Sequence, residues 1–174
     1  NSLIVNANLV SKVYFPRLVV PTSAVIVSFV DFLISGTILI GLMTWYNFVP
    51  GWQMLALPFF IFLGFAAAVG AGLWLSALNV QYRDFRYIVP FIIQLGLYIS
   101  PVGFSSNVVS SQWRLLYSLN PMVGVIDGFR WTILGDSVSL YWPGVFLSVL
   151  LVSILLFSGV KYFRRMERIF ADVI

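Results

Sequence analysis

The chain has 174 residues, of which 60% are hydrophobic and 9% are charged, and its formal net charge is +4. A soluble globular domain carries about 25% charged residues, so this composition excludes an ordinary soluble fold and predicts an integral membrane protein. Because the chain has no cysteine and no histidine, disulfides, thiolate sites and histidine-based metal sites are excluded. We expect no metal and no other cofactor, and we attribute the positive charge to contact with anionic lipid rather than nucleic acid.

Four long apolar stretches predict an all-α membrane protein that crosses the bilayer several times. They cover Leu18–Met43, Met54–Leu78, Ile88–Phe104 and Trp142–Val160. A helix of about 20 apolar residues crosses a hydrocarbon core about 30 Å thick, so the first, second and fourth stretches can form spans. The third has 17 residues and contains Pro90 and Pro101, so it is the weakest of the four predicted spans.

Basic residues avoid every second connection between these stretches. Eight of the ten lie on one side, namely Lys12, Arg17, Arg83, Arg86, Lys161, Arg164, Arg165 and Arg168. Only Arg114 and Arg130 lie on the other side. Because cytoplasmic loops retain Lys and Arg, we expect one transmembrane domain over residues 1–174, with 1–17 and the C-terminal tail 161–174 in the cytoplasm. Residues 105–140, termed the outer segment, are then expected outside.

The chain begins with a polar, amphipathic segment over residues 1–17. A short helix capped by Asn8 would end near Pro16. Such a segment is either a solvated lead-in or a surface helix that docks a cytoplasmic partner, and the residues favour neither. Since the chain starts at Asn1 without a methionine, we expect an N-terminal truncation of a longer protein.

Asp31 is the only ionisable residue inside any of the four stretches. A carboxylate at the middle of a membrane costs about 2.5 kcal/mol or more unless it faces protein or water, so we expect it to point into the bundle. Its side chain would be hydrogen-bonded there to Ser28 or Ser35. A proton relay is the alternative, but relays usually contain several such groups, so a structural role is favoured.

Two shorter patterns concern packing and partner contact. Gly64, Ala68, Gly72 and Ser76 recur every four residues in the second stretch, and small residues on one face let helices approach closely. The next connection, residues 79–87, crowds Arg83, Asp84 and Arg86 together. Topology explains the arginines but not the carboxylate between them, which indicates a fixed local fold or a protein contact.

The outer segment is too apolar for an open loop and predicts two short helices that lie in the membrane interface or re-enter the membrane. Asn120 and Pro121 are typical of a helix start, and Gly135 is typical of a stop. Within that helix Asp127 and Arg130 are three residues apart and can pair. The other helix is expected around Asn107–Leu119.

No set of residues resembles an active site, and the acidic residues show no spacing typical of paired carboxylates or a metal site. The chain also has no glycine-rich phosphate loop of the P-loop form. These absences argue against an enzyme and favour a role in transport or assembly.

Five segments resemble the membrane permeases of type-2 ABC exporters, especially the subgroup that exports O-antigen, capsule and teichoic acid. They are NANLVSKVYFPRLVVP at 6–21, LNVQYRDFRYIVPFIIQ at 78–94, ISPVGF at 99–104, NPMVGVIDGFRWTILG at 120–135 and FRRMERIFADVI at 163–174. Members of that family have six spans and an amphipathic N-terminal helix. This chain resembles their last four spans.

The resemblance implies a permease of the bacterial cytoplasmic membrane that works with a second permease copy and two separate ATP-binding subunits. ATP would be hydrolysed in those partners, and the cargo would be a lipid-linked polysaccharide. The residues implied in coupling to the ATPase are Asn8, Lys12, Arg17, Arg83, Asp84 and Arg86. Those implied in an external gate or sugar path are Trp113, Tyr117, Asn120, Pro121, Phe129, Arg130 and Trp131.

Three alternatives stay open beside this interpretation. The chain could belong to a type-2 exporter of a drug or lipid, to a passive assembly subunit, or to a membrane enzyme acting on lipid-linked sugars. The enzyme is the least favoured, because it needs acidic or histidine residues clustered at one membrane face and the sequence shows no such cluster.

Overall fold

The computed structural model describes residues 19–82 and 84–167, and these residues contain six α-helices. The helices are α1 (Val19–Trp45), α2 (Leu57–Gln81), α3 (Phe85–Ile99), α4 (Ser111–Tyr117), α5 (Pro121–Leu134) and α6 (Trp142–Glu167). Short 3-10 turns cover Trp52–Ala56, Ser106–Val108 and Gly135–Ser137. The prediction of an all-α fold is confirmed. Some predicted sites lie outside the described part of the chain, namely residues 1–17 with Asn8, Lys12 and Arg17, then Arg83, the Arg86 side chain and the tail beyond 167.

Three of the four predicted spans form helices long and apolar enough to cross a membrane, over Pro21–Trp45, Trp52–Gln81 and Trp142–Met166. The third stretch is also helical, but α3 has 15 residues and reaches only about 22 Å at 1.5 Å per residue. It ends at Ile99 because Ser100 precedes Pro101 and takes an extended conformation, with φ −79° and ψ 145°. A residue before proline avoids the helical region for steric reasons.

The second helix lies at the centre of the packing and contacts α1, α5 and most extensively α6. One buried cluster joins α2 to α5 and α6 and contains Phe60, Leu63, Ala66, Ala67, Val125, Val145 and Val152. A second joins the far ends of α2 and α6 and contains Leu73, Ala77, Val80, Phe163 and Met166. The core therefore runs along the whole length of α2.

The backbones of α2 and α6 approach each other closely at Gly70 and Gly159. A Cβ atom at Gly70 would lie 2.9 Å from the Leu156 backbone nitrogen, and one at Gly159 would lie 2.7 Å from the Gly70 carbonyl oxygen. Members of the predicted four-residue row lie elsewhere. A Cβ atom at Gly64 or Gly72 would meet side chains of α5 or α1 at 3.3 and 3.5 Å. The row is thus a contact surface toward α5 and α1, whereas the close backbone approach of α2 to α6 uses Gly70, which is outside the row.

Aromatic and polar side chains fasten the end of α2 to α6. The Trp74 indole Nε1 donates a hydrogen bond to Ser158 Oγ at 3.0 Å, and its ring stacks on Tyr162 with centroids 4.4 Å apart. The Tyr162 hydroxyl in turn donates to Gln81 Oε1 at 2.8 Å. The connection that leads from α2 to Asp84 therefore leaves a helix end that is held in place.

Asp31 is exposed on α1 in this chain, so the prediction that it points into the bundle is not realised by these helices. The two hydroxyls predicted to bind its carboxyl group bond elsewhere. Ser35 Oγ donates to the Asp31 backbone carbonyl at 2.9 Å, and Ser28 Oγ donates to the Ala24 carbonyl at 3.3 Å. Serine in a helix often bonds to the carbonyl of the preceding turn, which removes it as a partner for a neighbouring side chain.

Candidate functional site in the outer segment

The second helix of the outer segment begins and ends where the sequence predicts. Asn120 Oδ1 accepts a hydrogen bond from the Met122 backbone nitrogen at 3.0 Å, and Pro121 occupies the first helical position. Gly135 ends α5 with φ +63°, a conformation that glycine adopts without a steric penalty. The predicted helix around Asn107–Leu119 is shorter than expected, because Ser106–Val108 forms a 3-10 turn and α4 covers Ser111–Tyr117.

Three predicted gate residues hold the end of α3. The Tyr117 hydroxyl donates to the Ile99 carbonyl at 2.7 Å, Arg130 Nη2 donates to the Val102 carbonyl at 2.9 Å, and Asn120 Nδ2 donates to Ser100 Oγ at 3.0 Å. The last carbonyls of a helix lack partners within it. These side chains, termed the outer clamp, supply donors to the end of α3 and to the turn after it, and so tie α3 to α4 and α5.

A carboxyl group supports the outer clamp from within α5. Asp127 Oδ1 lies 3.8 Å from Arg130 Nη1, which confirms the predicted pair, and Asp127 is 9% exposed. Burial raises the pKa of Asp127, and a hydrogen bond with Ser106 and the charges of Arg130 and Arg114 oppose this rise. The folded-state pKa of Asp127 lies above the ordinary value of 3.8. The contribution of Asp127 to stability is therefore fully present below pH 3.8 and is lost as the pH rises through the folded-state pKa.

The single charge of α4 points into the protein. Arg114 Nη2 donates to Asn107 Oδ1 at 2.8 Å, and the guanidinium lies over the Tyr141 ring, 4.7 Å from its centroid. Sequence reasoning used Arg114 only as a topological residue and did not include Tyr141. The available signal for Arg114 was that it is one of only two basic residues in the apolar outer segment.

The four aromatic side chains predicted for the gate have different surroundings. Trp131 lies between Trp52 and Trp142, with ring centroids 5.9 Å from each. Phe129 lies 5.7 Å from Phe32 of α1. Trp113, by contrast, is 61% exposed. Two of the aromatic residues therefore fix α5 to neighbouring helices, and Tyr117 belongs to the outer clamp.

An open, largely apolar cavity of about 240 Å³ lies between α1, α2 and α5. Its walls include Phe29 and Phe32 of α1, Gly64 and Ala68 of α2, and Phe129 of α5. Two members of the small-residue row thus border this cavity on the face of α2 that meets α1 and α5. Within the described residues no group of three or more His, Cys, Asp or Glu side chains could hold a metal ion.

Comparison with known proteins shows the family to which this chain is similar. The model of the family described as "ABC-2 type transporter" matches residues 2–134. Three curated relatives are each named O-antigen export system permease protein RfbA. One, from Myxococcus xanthus, is 28% identical over 71% of this chain and 48% of the relative. Two, from Klebsiella pneumoniae, are 27% and 26% identical over 92% and 99% of this chain and 64% and 66% of the relatives. The chain thus spans about half to two thirds of the length of these relatives.

Proposed function

This chain belongs to the ABC-2 type transporter family, and we propose that it is the permease region of an ATP-driven exporter of a lipid-linked cell-surface polysaccharide. The names of the three relatives support this cargo, since each is an O-antigen export permease. The structural observation that carries the proposal is the position of α3. This helix begins next to Asp84 and ends at the outer clamp.

The proposed assembly contains two permease copies and two ATP-binding subunits in the bacterial cytoplasmic membrane, with the C-terminus of the permease in the cytoplasm. The distribution of basic residues supports this orientation. ATP would be bound and hydrolysed by the partner subunits. Residues 1–17 and the connection containing Arg83, Asp84 and Arg86 would contact them.

The packing of α3 suggests how a movement at that connection reaches the other side of the membrane. Most residues of α3 are exposed in this chain, and the helix has few contacts with α2, so it is held mainly at its ends. The end of α2 before it is fastened to α6 through Trp74 and Tyr162. A partner that displaces Asp84 would therefore tilt α3 rather than α2.

The outer clamp would transmit that tilt to the outer segment. Tyr117, Asn120 and Arg130 connect the end of α3 to α4 and α5 through hydrogen bonds of 2.7 to 3.0 Å. The gate would then be the pair α4 and α5 with Pro121 at their junction, and Phe129 and Trp131 would anchor it to α1 and α6. Trp113 is the predicted gate aromatic that these contacts do not hold, since it is 61% exposed.

The cargo is tested by deleting the permease gene in a bacterium that displays such a polysaccharide and then supplying the full-length protein. Deletion should remove the polymer from the surface and leave it on its lipid carrier in the cytoplasm, and the full-length protein containing this chain should restore export. A surface polymer that persists without the permease would contradict the proposal. Transport of a drug or lipid instead would support another type-2 exporter.

The transmission pathway is tested at both ends of α3. Tyr117→Phe removes the bond to Ile99 and keeps the ring, so export should fall while membrane insertion and copurification with the ATPase are unchanged. Tyr98→Phe is the matched control, because Tyr98 is 71% exposed. Asp84→Lys should insert normally but uncouple ATP hydrolysis from export. Normal export by both Tyr117→Phe and Asp84→Lys would leave α3 without a role in coupling.

A further inference from the structure

The amphipathic character of α4 is inverted relative to a helix on a water-exposed surface. Its one charged side chain, Arg114, faces Tyr141 and Asn107 within the protein. Its apolar side chains point outward, and Leu115 and Leu116 are each 56% exposed. A surface helix in water places its apolar residues toward the core and its charges outward. The described residues therefore leave large apolar side chains of α4 uncovered.

A groove of about 720 Å³ lies between α4 and the first turns of α6. Its walls are formed by Trp113, Leu116 and Leu119 on one side and by Phe146 and Leu150 on the other, with Pro143 at the start of α6. Phe146 and Leu150 are 70% and 57% exposed. The groove is therefore an open surface cleft between large apolar side chains.

The position of the groove along α6 places it at membrane depth. The candidate span begins at Trp142, so Leu150 lies about 12 Å further along the helix at 1.5 Å per residue. Half of a hydrocarbon core of about 30 Å is about 15 Å. The groove thus extends from the interface through most of one leaflet. Arg114 of α4 lies over Tyr141, the residue before the span, so the neighbouring Gln112 and Trp113 are at the interfacial end of the groove.

The residues of the groove match a lipid chain better than a second helix. Helix contacts in membranes favour small residues, and α2 and α6 meet in this way at Gly70 and Gly159. The groove walls, in contrast, carry no glycine, alanine or serine. A tryptophan and an amide at the polar end suit the interfacial region, where aromatic side chains collect.

We propose that this groove binds an acyl chain of an outer-leaflet phospholipid and that this contact holds α4 in the membrane. The assignment to the outer leaflet rests on the orientation in the proposed function, whereas the lipid contact requires only that α6 spans the membrane. A gate containing α4 would then open into lipid on one side, and the bound chain would act as its support.

The chain has no cysteine, so a single fluorescent thiol label can be placed in a cysteine-free version of the full-length permease. Leu116→Cys and Leu150→Cys carry the label into the groove in nanodiscs of phosphatidylcholine with brominated acyl chains. Ser148→Cys is the buried control, since Ser148 is 0% exposed, and Ser139→Cys is the control for a polar, exposed connection. We expect several-fold stronger quenching in the groove than at either control, with Leu150 favouring bromine atoms placed deeper in the acyl chain.

Weak quenching by brominated lipid at both groove positions would overturn the proposal, whether a second copy, water or another part of the full-length permease covers the groove. Weak quenching by brominated lipid together with thiol cross-linking between permease copies at position 116 would show that a second copy covers the groove. Weak quenching together with strong quenching by aqueous iodide would show that the groove faces water. A permease that fails to export polysaccharide contradicts the proposed function but leaves the quenching result unaffected.

Discussion

The close approach of α2 and α6 at Gly70 can be tested with a single methyl group. In Gly70→Ala the added Cβ atom would lie 2.9 Å from the Leu156 nitrogen, 3.0 Å from its Cα atom and 3.1 Å from the Leu155 carbonyl carbon. All three atoms belong to the backbone of α6, so no side-chain rotation relieves the contact. The two helices must separate by several tenths of an ångström.

The expected energy follows from two opposing effects. Inserting a methyl group into a well-packed interface typically costs about 1–3 kcal/mol, and a gap of about 0.5 Å forfeits about a quarter of the dispersion energy of the atom pairs involved. Replacing glycine by alanine in a helix stabilises it by about 1 kcal/mol. Gly36→Ala in α1 isolates this second effect, because its Cβ atom would meet no atom within 4 Å.

The measurement is the free energy of unfolding of the full-length permease in mixed micelles, with unfolding driven by increasing detergent strength. We expect Gly70→Ala to be less stable than Gly36→Ala by about 1–3 kcal/mol, since the helix-propensity gain is common to both. Equal changes in the two variants would refute the close contact between α2 and α6.

Three further predictions concern other parts of the chain. The raised pKa of Asp127 predicts a loss of stability as the pH rises above 3.8, and Asp127→Asn should remove this loss, measured as the unfolding midpoint against pH; an unchanged slope would contradict a raised pKa for Asp127. Trp74→Phe should lower the free energy of unfolding by about 0.5–1.5 kcal/mol through loss of its bond to Ser158, whereas an unaltered midpoint would mean that this bond contributes nothing. In intact cells an impermeant thiol reagent should label Asn47→Cys but not Asp84→Cys, and labelling of position 84 would reverse the proposed orientation.

Much of the local structure was determined by the sequence itself. Spans need only length and apolar composition, and three of the four predicted stretches became long helices. The boundaries of α5 depend on residues beside them, since Asn120 caps the helix through its own side chain and Gly135 ends it with a positive φ. The pair Asp127 and Arg130 was also predictable, because residues three apart share a helix face. Each of these features depends on neighbours within a few positions.

Only the tertiary structure decided which faces meet and which atoms accept hydrogen bonds. Apolar residues lie on every side of α2, so hydrophobicity favours no face. The backbone of α2 contacts α6 at Gly70 because this residue has no side chain to keep the two helices apart. The outer clamp was not predictable for a different reason. Tyr117 and Arg130 donate to carbonyls 18 and 28 residues away, and every residue carries such an acceptor, so residue type could not identify Ile99 and Val102 as the partners.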